Sequence, residues 1–140
     1  GAAVAPYLGG SPAGGRTATG ALRFLCPRNA TLCGIVPAGA ASESVVLELV
    51  LTFPLMVVIR GVSTGAKERG ITAGIAVGGV IALEALFAGP ICGASMNPAR
   101  SFGPALVSGN LHALWLYLVA PPLGTALGAL AYGFIRGDSE

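Results

Sequence analysis

Three apolar runs, Ser44–Ile59, Ile71–Phe87 and His112–Ile135, constrain this chain more than any other feature. Each is close to the ~17–25 residues that carry an α-helix across a bilayer, and the last is long enough to cross with tilt. Between the first two lies a polar turn, Arg60-Gly61-Val62-Ser63-Thr64-Gly65-Ala66-Lys67-Glu68-Arg69, with three basic residues, and Arg136 follows the third run. Basic residues in short loops stay on the cytoplasmic side. Two crossings connect the turn to the C-terminus, so residues 88–111 are expected to begin and end outside. That stretch is too apolar for a solvated loop, and Gly89, Pro90, Gly93, Pro98, Gly103 and Pro104 break it too often for a spanning helix. Asn97-Pro98 reads as a helix start: Asn is among the best N-caps, and Pro suits the first helical position, where its missing N–H costs nothing. A half-helix to around Val107 is expected. Irregular backbone at membrane depth persists only when buried in protein or lining a water-filled cavity. The segment is therefore expected to re-enter the membrane and line a pore.

Composition agrees and excludes several function classes. The chain is 54% hydrophobic and 10% charged, against about 25% charged in an ordinary soluble domain. A net charge of +2, without a basic stripe, does not suit a nucleic-acid binder. Cys26, Cys33 and Cys92 form neither a CxxC nor a Cys/His cluster, so no metal and no cofactor are called for. Free thiols are expected, with a Cys26–Cys33 pair as the alternative. The sequence begins at Gly1 with no charged region leading into an apolar signal core, and its start is read as a cut.

Gly93-Ala94-Ser95-Met96-Asn97-Pro98-Ala99-Arg100-Ser101, preceded by Ala88-Gly89-Pro90 and followed by Phe102-Gly103-Pro104-Ala105, resembles the second Asn-Pro-Ala signature of the aquaporin, or major intrinsic protein, family. The likeness runs from about Tyr7 to Arg136, nearest to the nodulin-like plant proteins and their bacterial relatives. It implies an all-α membrane protein, aquaporin-like, comprising one inverted repeat of three spans plus a re-entrant half-helix. It further implies a passive channel for water and small uncharged solutes, no enzyme activity, a lipid environment, and a homotetramer when complete. An integral protein of the plasma (inner) membrane with a cytoplasmic C-terminus is expected.

The chemistry of the motif fits such a pore. A half-helix N-terminus carries about half a positive charge and unpaired N–H groups, and aimed at mid-membrane it repels cations. Asn97 is expected to offer its amide N–H to a passing oxygen. Ahead of Pro98, extended backbone at Gly93, Ala94 and Ser95 is expected to present a ladder of carbonyl acceptors. A neutral guest then exchanges water partners for protein partners, while an ion loses its shell uncompensated. By resemblance, Arg100 is the positive member of the outer constriction, and Ala85 and Ala94 flank it. Two small residues there imply a wider, less polar opening than in strict water channels, one that admits glycerol or neutral metalloid hydroxides. Ser101 leans toward the aquaporin branch rather than the glycerol facilitators, and Tyr117-Leu118 is intermediate.

Two acids stand inside apolar runs, where a carboxylate is costly and functional by default. For Glu48 the resemblance suggests a structural task, accepting hydrogen bonds from backbone N–H groups of the re-entrant loop; a proton relay is the alternative. Glu84 departs from the family pattern: it could pair with a basic group, bond to the loop, or carry a proton. His112, the only histidine, is read as an interfacial side chain. An intramembrane serine protease is the enzyme such a chain would allow, but Ser95 lacks the Gly that commonly follows such a nucleophile, and there is no second His. Asn29-Ala30-Thr31 is a glycosylation sequon read as a chance match. Gly74-x-x-x-Gly78 and Gly124-x-x-x-Gly128 are expected to mark close helix packing.

Domain boundaries follow from these readings. Residues 1–43 are expected to hold a degenerate third span and an outer loop, because Ser11-Pro12-Ala13-Gly14-Gly15-Arg16-Thr17 would place Pro, two Gly and Arg inside the Tyr7–Cys26 span. Residues 44–136 hold two spans, the re-entrant Asn-Pro-Ala loop and the last span. One repeat cannot close a pore, so a missing N-terminal half or a second copy is the expected partner. The alternative is a truncated or degenerate fragment that inserts but conducts nothing.

Overall fold

The computed structural model describes residues 34–64 and 71–137, together with Ala21 and Phe24. Apart from Ala21 and Phe24, the expected Tyr7–Cys26 span lies outside the described residues, as do the Cys26–Cys33 pair, the Asn29 sequon and the second half of the basic turn. Four helices follow: α1 (Ala41–Thr64), α2 (Ile71–Cys92), α3 (Pro98–Ser108) and α4 (Leu114–Arg136). By length and composition α1, α2 and α4 suit a bilayer crossing, and α3 is the short helix expected after Asn97-Pro98.

Two boundaries differ from expectation. Helix α1 does not end at Ile59 but runs on through Arg60 to Thr64, so the first half of the expected polar turn is helical. Residues 88–92 do not belong to the irregular segment but continue α2 through Pro90 to Cys92. Proline so near a C-terminus removes only one late intrahelical bond, and membrane helices re-satisfy the freed carbonyl through their neighbours. Pro54 in α1 and Pro121 and Pro122 in α4 are tolerated likewise. Ahead of α3 the irregular backbone is thereby confined to residues 93–97.

The packing is turned inside out relative to a soluble bundle. Val46, Leu83, Leu86, Phe87, Trp115, Leu123, Leu130 and Phe134 are exposed, whereas Ser44, Glu48, Thr52, Glu84, Ser95 and Ser101 are buried. A soluble monomer rarely shows apolar patches on this scale; lipid tails solvate them without penalty. Helix α1 is central, packing most extensively on α4 and next on α2. Its buried stripe, Ser44, Glu48, Leu51, Thr52 and Leu55, recurs at three- and four-residue steps.

Helix α4 meets α1 through Gly124 and Gly128. A Cβ at Gly124 would fall on the Thr52 side chain and the Leu49 carbonyl oxygen, and one at Gly128 on the Phe53 carbonyl oxygen and Met56 Cβ. Close backbone approach through small residues is how helices gain packing in lipid. Gly74 and Gly78 find no such partner among the described residues: a Cβ at either would meet nothing within 4 Å. At the other end of the bundle the Arg60 guanidinium lies 5.7 Å from the Tyr132 ring centroid, a cation–π contact joining the end of α1 to the end of α4.

Candidate functional site

The site is the five-residue break between α2 and α3, together with the side chains that hold it. Its backbone is not the extended strand expected. Gly93 has φ 80°, and Ala94 and Met96 take positive φ of 44° and 53° without being glycine. Each such residue costs about 1–3 kcal/mol and persists only where its surroundings over-determine it. At Gly93 glycine is required twice, since a Cβ would also lie 2.5 Å from Ile35 Cγ2.

Glu48 supplies the centre of the restraint. Its two carboxylate oxygens accept from consecutive backbone groups, Ser95 N–H at 2.7 Å and Met96 N–H at 2.8 Å. The acid is fully buried, and charge-assisted bonds of this length are roughly twice as strong as neutral ones. One helical turn on, the Thr52 hydroxyl donates to the Glu48 carbonyl oxygen at 2.7 Å.

Both flanks of the break are tied as well. Before it, the Tyr117 hydroxyl donates to the Cys92 carbonyl at 2.6 Å. After it, Arg100 Nη1 donates to the Ala94 carbonyl at 2.9 Å. The Ser95 hydroxyl bonds the Asn97 carbonyl at 2.8 Å and shares a 2.7 Å contact with the Ser101 hydroxyl. Ser95 is thus engaged within the loop, and His112, exposed on the far side of α3 in sequence, is not its hydrogen-bond partner; the protease arrangement is not assembled.

Asn97 caps α3 with extended backbone, its side-chain oxygen accepting from Ala99 N–H at 2.9 Å, and Pro98 takes the first helical position. Gly109 closes the helix in the left-handed conformation with φ 75°. The oxygen of the Asn97 amide is therefore committed to the helix, while its NH2 has no partner among the described residues and the residue is exposed.

The structure brings most of the expected residues together. Ala94 belongs to a buried cluster with Leu51, Leu55, Ala88, Cys92 and Met96, and Ala85 packs against it. Arg100 and Asn97 share the exposed side of the break, with Pro98 and Ala99 half-buried beside them. Of the three expected ladder carbonyls, that of Ala94 already serves Arg100. Glu84 is buried on the α2 face that carries Ala88 and Cys92, and its Oε2 accepts no hydrogen bond among the described residues. Neither the basic partner nor the loop bond considered for it is formed by that oxygen. Sequence reasoning missed the Tyr117 anchor and the Ser95–Ser101 contact. The first joins residues that only the fold brings together, and the second depends on the left-handed turn between α2 and α3, so no simple sequence pattern announces either.

Comparison with known proteins gives the same placement independently. The family model described as major intrinsic protein matches residues 2–132. Aquaporin NIP1-1 of Oryza sativa subsp. japonica is 46% identical over 134 residues, covering 95% of this chain and 47% of the relative. Aquaporin NIP3-1 of Arabidopsis thaliana is 42% identical over 145 residues, covering 98% and 45%. Nodulin-26 of Glycine max is 42% identical over 134 residues, covering 95% and 49%. The chain thus spans about half the length of these relatives, and the family is one of membrane channels rather than enzymes. With its membrane-length helices, its capped half-helix and a family match over nearly its whole length, the chain belongs to the major intrinsic protein family, among the nodulin-26-like aquaporin homologues.

Proposed function

We propose that this chain forms half of a passive channel for water and small uncharged solutes, and that the channel excludes ions. The observation that carries the reading is the juxtaposition of Asn97, with its unengaged NH2, and the exposed Arg100 at the start of a half-helix whose approach Glu48 holds. In this reading Asn97, Pro98, Ala99 and Arg100 line the lumen, and Ala85 and Ala94 border the constriction. The carbonyls of Gly93 and Ser95 receive solute hydrogen bonds. An entering cation faces the half-helix terminus and Arg100 with its hydration shell stripped, so the barrier is electrostatic.

A pore needs a second wall. The complement is an N-terminal repeat or a second copy, and the complete channel assembles as a homotetramer in the plasma (inner) membrane. Residues 1–43 contribute a third span and outer loop, and residues 44–136 the conducting elements. The basic stretch from Arg60 to Arg69, whose first half is the end of α1, and the C-terminus face the cytoplasm. A Thr64→Cys variant that also carries Cys26→Ser, Cys33→Ser and Cys92→Ser, in intact cells, is therefore expected to resist labelling by an impermeant thiol reagent and to label after permeabilisation. Strong labelling from outside would overturn the topology.

Small residues at 85 and 94 set the expected selectivity: solutes larger than water, glycerol or neutral metalloid hydroxides, pass. The test is stopped-flow swelling of vesicles holding this chain together with the N-terminal half of a nodulin-26-like relative. The parent is expected to conduct both water and glycerol, and Ala85→His to narrow the opening and depress glycerol flux at least ~10-fold relative to water, about 1.4 kcal/mol in barrier. A parent passing water without glycerol would show that the other repeat sets the aperture. No flux in any combination would favour the alternative, a chain that inserts and associates but conducts nothing.

A further inference from the structure

The last four carbonyls of a helix have no partner inside it, and at the end of α2 three of them receive outside donors. Gly93 N–H reaches Gly89 O at 3.0 Å, and Ala38 N–H reaches Ile91 O at 2.9 Å. The third donor is different in kind: the Tyr117 hydroxyl comes from α4 and grips Cys92 O at 2.6 Å. Tyr117 is the largest fully buried side chain, at 1% exposure. The residue it holds is the last one before φ turns positive at Gly93.

We propose that Tyr117 is a positioning residue that sets where the solute-facing run of carbonyls begins, a role that rests on the channel reading above. The hydroxyl reaches across from α4 and fixes the direction of the Cys92 carbonyl, which makes Gly93 the first residue able to offer its oxygen to the lumen. Downstream, Glu48 holds Ser95 and Met96, and Arg100 holds Ala94. Upstream of these, Tyr117 restrains the peptide on which the left-handed run turns. Removing the hydroxyl leaves a buried acceptor unsatisfied, which is costly. Relief comes from rotation of the Cys92–Gly93 peptide, because glycine is the residue most tolerant of new φ values, and the same rotation releases the Gly93 N–H from Gly89 O. That rotation adds a carbonyl to the lumen and draws Ala94 O away from Arg100.

Cys92 reports on this directly. Its thiol is fully buried and donates to Ala88 O at 3.5 Å, so the opening of the last turn of α2 that follows loss of the Gly93–Gly89 bond would expose it. The experiment measures modification of Cys92 by N-ethylmaleimide in liposomes, with Cys26→Ser and Cys33→Ser leaving it the single thiol. Tyr117→Phe is expected to raise the rate at least tenfold. Leu116→Ala, which truncates an equally buried neighbour on α4, is expected to change it less than twofold. An unchanged rate in Tyr117→Phe, or an equal rise in Leu116→Ala, would overturn the anchor. In the completed channel, Tyr117→Phe at equal membrane abundance is expected to shift the glycerol-to-water flux ratio at least threefold. An accelerated thiol with an unshifted ratio would overturn the carbonyl-setting role. A parent that conducts nothing would sink the channel reading alone, and the thiol rates would still decide whether Tyr117 positions the loop.

Discussion

Glu48→Leu is expected to abolish the ordered re-entrant loop and to lower the stability of the chain by about 3–5 kcal/mol. Two charge-assisted hydrogen bonds, at 2.7 and 2.8 Å, contribute on the order of 1.5–3 kcal/mol each. Leucine also leaves the Ser95 and Met96 N–H groups buried beside an apolar side chain, and both residues lie in a segment already strained by positive φ at Ala94 and Met96. Glu48→Gln is expected to be milder, at roughly half the loss: its amide oxygen still accepts from one N–H, while its NH2 opposes the other. Thermal unfolding in detergent, followed by helical circular dichroism, gives the order parent, Gln, Leu. A Leu variant as stable as the parent would mean that Arg100, Tyr117 and the two serines hold the loop without the acid.

Gly124→Val is expected to be the most damaging substitution on α4. The new side chain would occupy the place of the Leu49 carbonyl oxygen and the Thr52 side chain. A backbone atom cannot rotate away, so α1 and α4 must separate along the largest helix interface in the chain. Overpacking of this kind costs ~3 kcal/mol, the upper end of its usual range. Gly124→Ala and Gly128→Ala are each expected to lower the unfolding temperature, and the double variant to cost less than the sum. Once one methyl has pushed the helices apart, the next finds room, as coupling between neighbours on one interface predicts. Full additivity in a double-mutant cycle would show instead that each site relaxes locally. Gly78→Ala, whose Cβ would meet nothing within 4 Å, is the control expected to stay near the parent.

What the sequence determined by itself is what depends on neighbours along the chain and on the solvent. Apolar length and scarce charge identify α1, α2 and α4 as membrane helices, because burying backbone polar groups in lipid requires helix. Asn97-Pro98 specifies the start of α3 through capping chemistry contained in adjacent residues. The long motif from Gly93 to Ser101 identified the family, since its residues are contiguous. The glycine pair at 124 and 128 was legible as a packing signal, but the same spacing at 74 and 78 was equally legible and has no packing partner among the described residues. Spacing records which face is small, not whether another helix lies against it.

The tertiary structure decided where each long-range bond goes. That Glu48 reaches the N–H groups of Ser95 and Met96, more than forty positions away, requires α1 to lie beside the break. That Tyr117 closes the end of α2 requires α4 to return past it. The left-handed turn of Ala94 and Met96 was not readable either, because local propensity disfavours it for both residues; only the surrounding donors and acceptors make it the lower-energy choice. Glu84 was visible as an anomaly in the sequence, and the fold shows it buried on the α2 face that carries Ala88 and Cys92, its Oε2 without a donor among the described residues. Local patterning thus chose the elements, while the bonds that hold the pore loop exist only once helices distant in sequence are brought side by side.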